Sequence, residues 1–116
     1  MALLTPIVFP DEPGAFDLKA DPGFVAADDV AGDTFNNLGA TGLYVENPTG
    51  GSIDLTLVGA RRCNHGVLND AAISIPAGFD GFVALDLETD RFSDLSSVVS
   101  MTYSAAGLNV GAVRRE

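Results

Sequence analysis

Cys63 and His65 stand two residues apart in Arg61-Arg62-Cys63-Asn64-His65-Gly66. In an extended segment residues at that spacing share a face, so a thiol–imidazole pair is the chemistry this pattern allows. They are the chain's single cysteine and single histidine. No further motif of a thiol enzyme accompanies them, and two ligands fall short of the three or four that zinc takes. A small buried thiol and a polar loop imidazole account for both residues more simply. One cysteine also excludes an internal disulfide and a four-cysteine zinc site, which fits a reducing compartment.

The carboxylates are the next candidates. Asp28, Asp29 and Asp33 form one group, and Asp86, Glu88 and Asp90 alternate along another. Hard cations want six or more oxygens, and neither group follows the spacing of a calcium-binding loop, so solvated acids are expected. A pair of carboxylates for glycoside hydrolysis needs a cleft rich in aromatics. The chain has no Trp and only two Tyr, which makes that reading weak. Gly39-Ala40-Thr41-Gly42 lacks the lysine and hydroxyl that end a phosphate loop and opens no helix. Proline fills the middle of Asn47-Pro48-Thr49, so it is no glycosylation acceptor. No enzyme, no metal and no cofactor are expected.

Charge carries more information. Sixteen acids against six bases give a net charge of −10, and residues 1–60 hold nine of those acids with Lys19 as their sole base. So negative a surface repels phosphate backbones, and direct nucleic-acid binding is not expected. Four of the five arginines come in pairs, Arg61-Arg62 and Arg114-Arg115. Their planar forks suit carboxylates, so they are candidates to meet the acidic front half of a neighbouring subunit.

The elements that must position these residues are strands. Ile53, Leu55 and Leu57 alternate with Asp54 and Thr56, and Val99, Met101 and Tyr103 alternate with Ser100, Thr102 and Ser104. A period of two buries one face of a sheet and wets the other. Strands are expected at Leu43–Glu46, Ile53–Val58, Ala71–Ile75, Phe82–Leu87, Val98–Ser104 and Leu108–Val113, with a short one at Thr34-Phe35. The last two are expected to form a hairpin around Ala105-Ala106-Gly107. A single helical turn fits near Arg91–Leu95. Turn signals at Asn47–Gly51 and Pro76-Ala77-Gly78 divide the strands. The sum predicts an all-β fold: a small antiparallel sandwich or barrel over residues 27–116. At 116 residues the chain fits one domain and has no apolar run long enough to cross a membrane. Its first residues have no basic stretch followed by a sustained apolar core, so no secretory signal is expected.

Residues 1–26 read differently. Four of the six prolines fall there, which rules out a central strand or a helix. Yet the stretch carries Leu3, Leu4, Ile7, Val8, Phe9, Phe16, Leu18 and Phe24. An extended arm so apolar must pack, either along its own domain or on a neighbour. Phe9, Phe16 and Phe24 are its expected anchors, since buried aromatics dominate interfaces.

From Asp33 to Arg115 the order of motifs resembles that of small proteins encoded beside the capsid genes of tailed bacteriophages. The likeness rests on Leu43-Tyr44-Val45-Glu46-Asn47, the Ile53–Val58 strand, Arg62–Gly66 and Ile75-Pro76-Ala77-Gly78. It continues through Arg91-Phe92-Ser93-Asp94, Thr102-Tyr103-Ser104 and Leu108-Asn109-Val110 to Ala112-Val113. The resemblance implies a virion structural protein, above all a capsid decoration (cement) protein that binds the major capsid protein on the head surface. A trimer is expected, with the arm lying on capsid subunits or on a sister chain. A head–tail connector, tail or fibre component is an alternative. So is a non-catalytic module that binds a glycan or another protein through an exposed aromatic platform or a calcium cage. The first 32 residues lie outside the likeness.

Overall fold

A computed structural model describes residues 2–10, 14–36, 41–59, 70–84 and 98–115. They form ten strands: β1 (Ala2–Leu3), β2 (Ile7–Phe9), β3 (Val25–Ala26), β4 (Asp33–Asn36), β5 (Thr41–Glu46), β6 (Ile53–Leu57), β7 (Ala71–Ile75), β8 (Asp80–Ala84), β9 (Val98–Tyr103) and β10 (Asn109–Arg115). One sheet has the order β1-β4-β9-β6-β7, and the other β2-β10-β5-β8 with β3 also on β10. The protein is therefore a β-sandwich.

Alternation builds its core. Leu43 and Val45 of β5, Leu55 of β6, Val99 and Met101 of β9 and Val110 of β10 are wholly buried between the sheets, with Phe35 of β4 among them. Their neighbours Asp54 and Thr102 face outward and are exposed. The expected strands are present with small shifts. β8 starts at Asp80 rather than Phe82, and residues 85–87 lie outside the described part of the chain. The helical turn expected near Arg91–Leu95 also falls outside it.

The closing hairpin is not formed. β9 pairs with β4 and β6, whereas β10 pairs with β5 in the opposite sheet. The turn at Ala105–Gly107 thus carries the chain across the sandwich. Gly107 makes that crossing with φ +121, and a Cβ there would meet the Thr49 side chain, so a glycine is required on both counts. Local turn signals look alike for a hairpin and for a crossing, and the sheet assignment is settled by tertiary packing.

Of the arm's two placements, the structure shows the first. β1 pairs parallel with β4 and β2 pairs parallel with β10, so the arm contributes an edge strand to each sheet. β3 pairs antiparallel with β10 beside Asn109 and Val110. Proline at positions 6 and 10 flanks β2 and suits an edge. Leu4 sits in the main core, and Ile7 is fully buried. Between β2 and β3 the arm makes a single turn of 3-10 helix at Leu18–Ala20.

Candidate functional site

The outer face of the β2-β10-β5-β8 sheet gathers most of the chain's aromatic residues. On β5, Leu43 and Val45 point inward, so Tyr44 and Glu46 point out. Tyr44 pairs with Phe82 of β8 and with Gly111 of β10. The missing side chain at Gly111 leaves a seat: a Cβ there would collide with Ile7 and crowd Phe24. Ile7 and Phe24 fill it, which is how the arm reaches this face. Phe24 meets the Tyr44 ring edge-on at 6.0 Å, and Tyr44 meets Phe82 edge-on at 5.1 Å. Each edge-to-face pair contributes about 0.5–1.5 kcal/mol beyond burial. Phe9 and Phe16 make a further edge-on pair at 5.2 Å.

A polar cluster adjoins this ladder. Lys19 donates to Asp80 Oδ2 at 2.7 Å and to Glu46 Oε2 at 3.0 Å. Asn109 Nδ2 donates to the other Glu46 oxygen at 3.0 Å, and the Tyr44 hydroxyl donates to Asp80 Oδ1. The Lys19 and Tyr44 hydrogen bonds hold the Asp80 carboxyl below its usual range. Asn109 first, and Lys19 second, do the same for Glu46. The Asp80 carboxylate pushes the Tyr44 phenol up, and the two carboxylates push Lys19 up. Chemically this is a clamp. One ammonium bridges two carboxylates and pins the 3-10 turn of the arm onto β5 and β8.

The expected site residues are only partly brought together. Phe24 is half-buried on its own body, packed beside Ile7 at Gly111 and against Tyr44. Phe9, 46% exposed, presents its ring beside Phe16 at the edge of the same sheet. Arg114 is exposed on β10, where it pairs with Val8 and Thr41, and the Arg115 backbone pairs with Phe9. Arg61 and Arg62 lie outside the described residues, as do Cys63, His65 and the Asp86, Glu88 and Asp90 group.

The other acid group is structural. Asp28 accepts from the Val30 and Ala31 amides and so caps its own turn. Asp33 is buried and accepts from the Asp28 amide and, at 2.8 Å, from the Tyr103 hydroxyl. Burial first, then this bond, drives the Tyr103 phenol far up. Among the described residues no group of three or more His, Cys, Asp or Glu side chains is placed to hold a metal ion.

Sequence reasoning missed Tyr44, Phe82, Lys19, Glu46 and Asp80. A signal for two of them existed. Phe82 alternates with Val83, and Tyr44 with Leu43 and Val45, so both had to leave the core. Phe82 is 44% exposed, the least covered ring of its ladder. Comparison of the chain with protein-family models, with curated proteins and with solved structures finds no match.

Proposed function

We propose that the chain is a virion structural protein of a tailed bacteriophage, a capsid decoration protein that binds major capsid subunits and works without catalysis. One observation carries the reading. A sandwich closed on one side by its own arm leaves aromatic rings half exposed at both ends of one outer face, Phe9 and Phe82. Exposed aromatic surface on a rigid body is a means of adhesion. The order of motifs from Asp33 to Arg115 supports the same class of protein, and the net charge of −10 favours a basic partner surface.

The test is to purify the particles made from the genome that encodes this chain, count its copies by quantitative mass spectrometry and locate them by electron microscopy. Hundreds of copies on the head surface are expected. A ring of copies at the neck or tail would move the protein to a connector or tail role, and absence from the particle would overturn the virion reading.

A second reading, a glycan-binding module, is favoured by the Tyr44–Phe82 pair lying beside Asp80, Glu46 and Asn109. Carbohydrate sites combine an aromatic surface with a few carboxylates and amides. Binding on a glycan array that is lost in Phe82→Ala would establish it, and an array without response would remove it.

A further inference from the structure

The described strands leave four outer edges, and these are not treated alike. On one side the edges are the arm's own short strands: β1 beyond β4, two residues long, and β2 and β3 beyond β10, three and two residues long, with Pro6 and Pro10 flanking β2. On the other side β8 is blunted. Its pairing with β5 is irregular between Leu43 and Tyr44, and it begins with the charged Asp80. Bulges and charges are the usual protection of an edge against pairing with another chain. Among the described edges, β7 alone is neither so short nor so protected. Its sequence, Ala-Ala-Ile-Ser-Ile, holds no charge and no proline.

The register shows which groups the edge presents. Ser104 N–H donates to Asp54 O, and Val58 N–H donates to Ser100 O, so Asp54, Thr56 and Val58 direct their backbone groups to β9. Alternation then turns those of Ile53, Leu55 and Leu57 toward β7, where they meet Ile75, Ile73 and Ala71. The backbone N–H and C=O groups of Ala72 and Ser74 are left pointing away from the sheet. Both residues are exposed and carry small side chains, while Ile73 between them is only partly buried against the core.

We propose that β7 is a self-association edge, and that its occupant is β7 of a second copy, antiparallel about a two-fold axis through Ile73. That register sets Ala72 of each copy against Ser74 of the other, so every outward backbone group of β7 gains a partner. Ile73 meets Ile73 and extends the core from one copy to the next. The strand is its own complement about Ile73, which argues for a second copy as occupant, and its charge pattern does not oppose one. Two chains of net charge −10 repel wherever carboxylates face each other, and β7 is an edge that brings none into the ladder. The result is an isologous dimer with a continuous sheet, where a trimer was expected from the resemblance. It stands whether or not the protein belongs to a virion.

The experiment is sedimentation of the full chain from micromolar to near-millimolar concentration, for the native sequence and two variants. The native chain is expected to dimerise reversibly. Ala72→Pro removes an outward donor and leaves the bonds to β6 in place, and it should weaken dimerisation about tenfold or more. Ala72→Glu adds a like charge beside the two-fold to chains that are already acidic and should act in the same direction through an exposed side chain. It decides the matter if the proline variant does not fold. A native chain that stays monomeric throughout overturns the proposal, even if it accepts an extended strand from another protein at this edge. So does an oligomer that both folded variants leave intact.

Discussion

The two sides of the sandwich are held by different physics. On the arm side, three short strands add to β4 and β10, and apolar side chains anchor them: Leu4 in the core and Ile7 beneath Phe24. On the β7–β8 side no such strands are added among the described residues, and a buried amide does the holding. Asn47 Nδ2 donates to the carbonyls of Ile75 and Gly51 at 2.9 Å and of Pro76 at 3.2 Å. Its Oδ1 accepts from the Thr49 amide and hydroxyl, and its backbone bonds Phe79 and Gly78. One side is closed by area, which is tolerant of detail. The other is pinned by a polar hub, which fixes the β7–β8 turn but leaves the β7 edge open. An edge closed by short strands of its own arm is a poor place for another strand to add, and an edge left open is a better one.

Removing the arm should have the largest effect. Deleting residues 1–9 strips an edge strand from each sheet, takes Leu4 out of the core and empties the seat of Ile7 at Gly111. A loss of cooperative thermal unfolding is expected in calorimetry. A deletion that keeps a sharp transition at the native temperature would show the arm to be an appendage. The point substitution Ile7→Ala should cost about 2–5 kcal/mol in urea unfolding.

Asn47→Ala tests the other side. It removes a buried hub and leaves the carbonyls of Ile75 and Gly51 short of a donor, so a loss of about 2–3 kcal/mol is expected by the same assay. A loss as small as that of an exposed substitution would mean that the hub does not hold this side.

Tyr103→Phe comes next. It takes one of two described donors from the buried Asp33 carboxylate and should cost about 1–3 kcal/mol.

Lys19→Met should have the smallest effect, because the clamp lies in water. Its pH dependence is the informative part. Asp80 and Glu46 have lowered values in the folded protein, so the stability they confer is present above the ordinary carboxylate range and lost as pH falls through the folded values. Lys19 has a raised value, so its share is present at neutral pH and lost only in strong alkali. The difference in melting temperature between native and Lys19→Met protein should therefore shrink below about pH 4. A difference unchanged by acid would show that Lys19 acts through its methylene stem, without its charge.

Most of the body was legible in the sequence because one period decides it. Ile53–Leu57 alternates strictly and Ala71–Ile75 and Val98–Tyr103 do so after their first residue, and each is a strand whose inward side chains lie in or against the core. What alternation does not encode is which strands neighbour one another. The Ala105–Gly107 turn therefore reads as a hairpin and in fact crosses between sheets. The arm was legible as extended and apolar, and its prolines marked it as edge material. Its partner was not, because Ile7 needs the gap at Gly111, more than a hundred residues along the chain, to find its place. The clamp was hidden for the same reason: Lys19, Glu46, Asp80 and Asn109 are brought together by topology.

The contrast between the two sides is measured most directly by amide hydrogen exchange, followed residue by residue at low and high protein concentration. The account predicts that the amides of β10 and of Leu4, which donates to Thr34, are protected at both concentrations. Those of Ala72 and Ser74 should exchange freely in dilute solution and become protected as concentration rises. Ala72 and Ser74 amides that exchange at one rate at every concentration, beside an arm that exchanges freely, would contradict it.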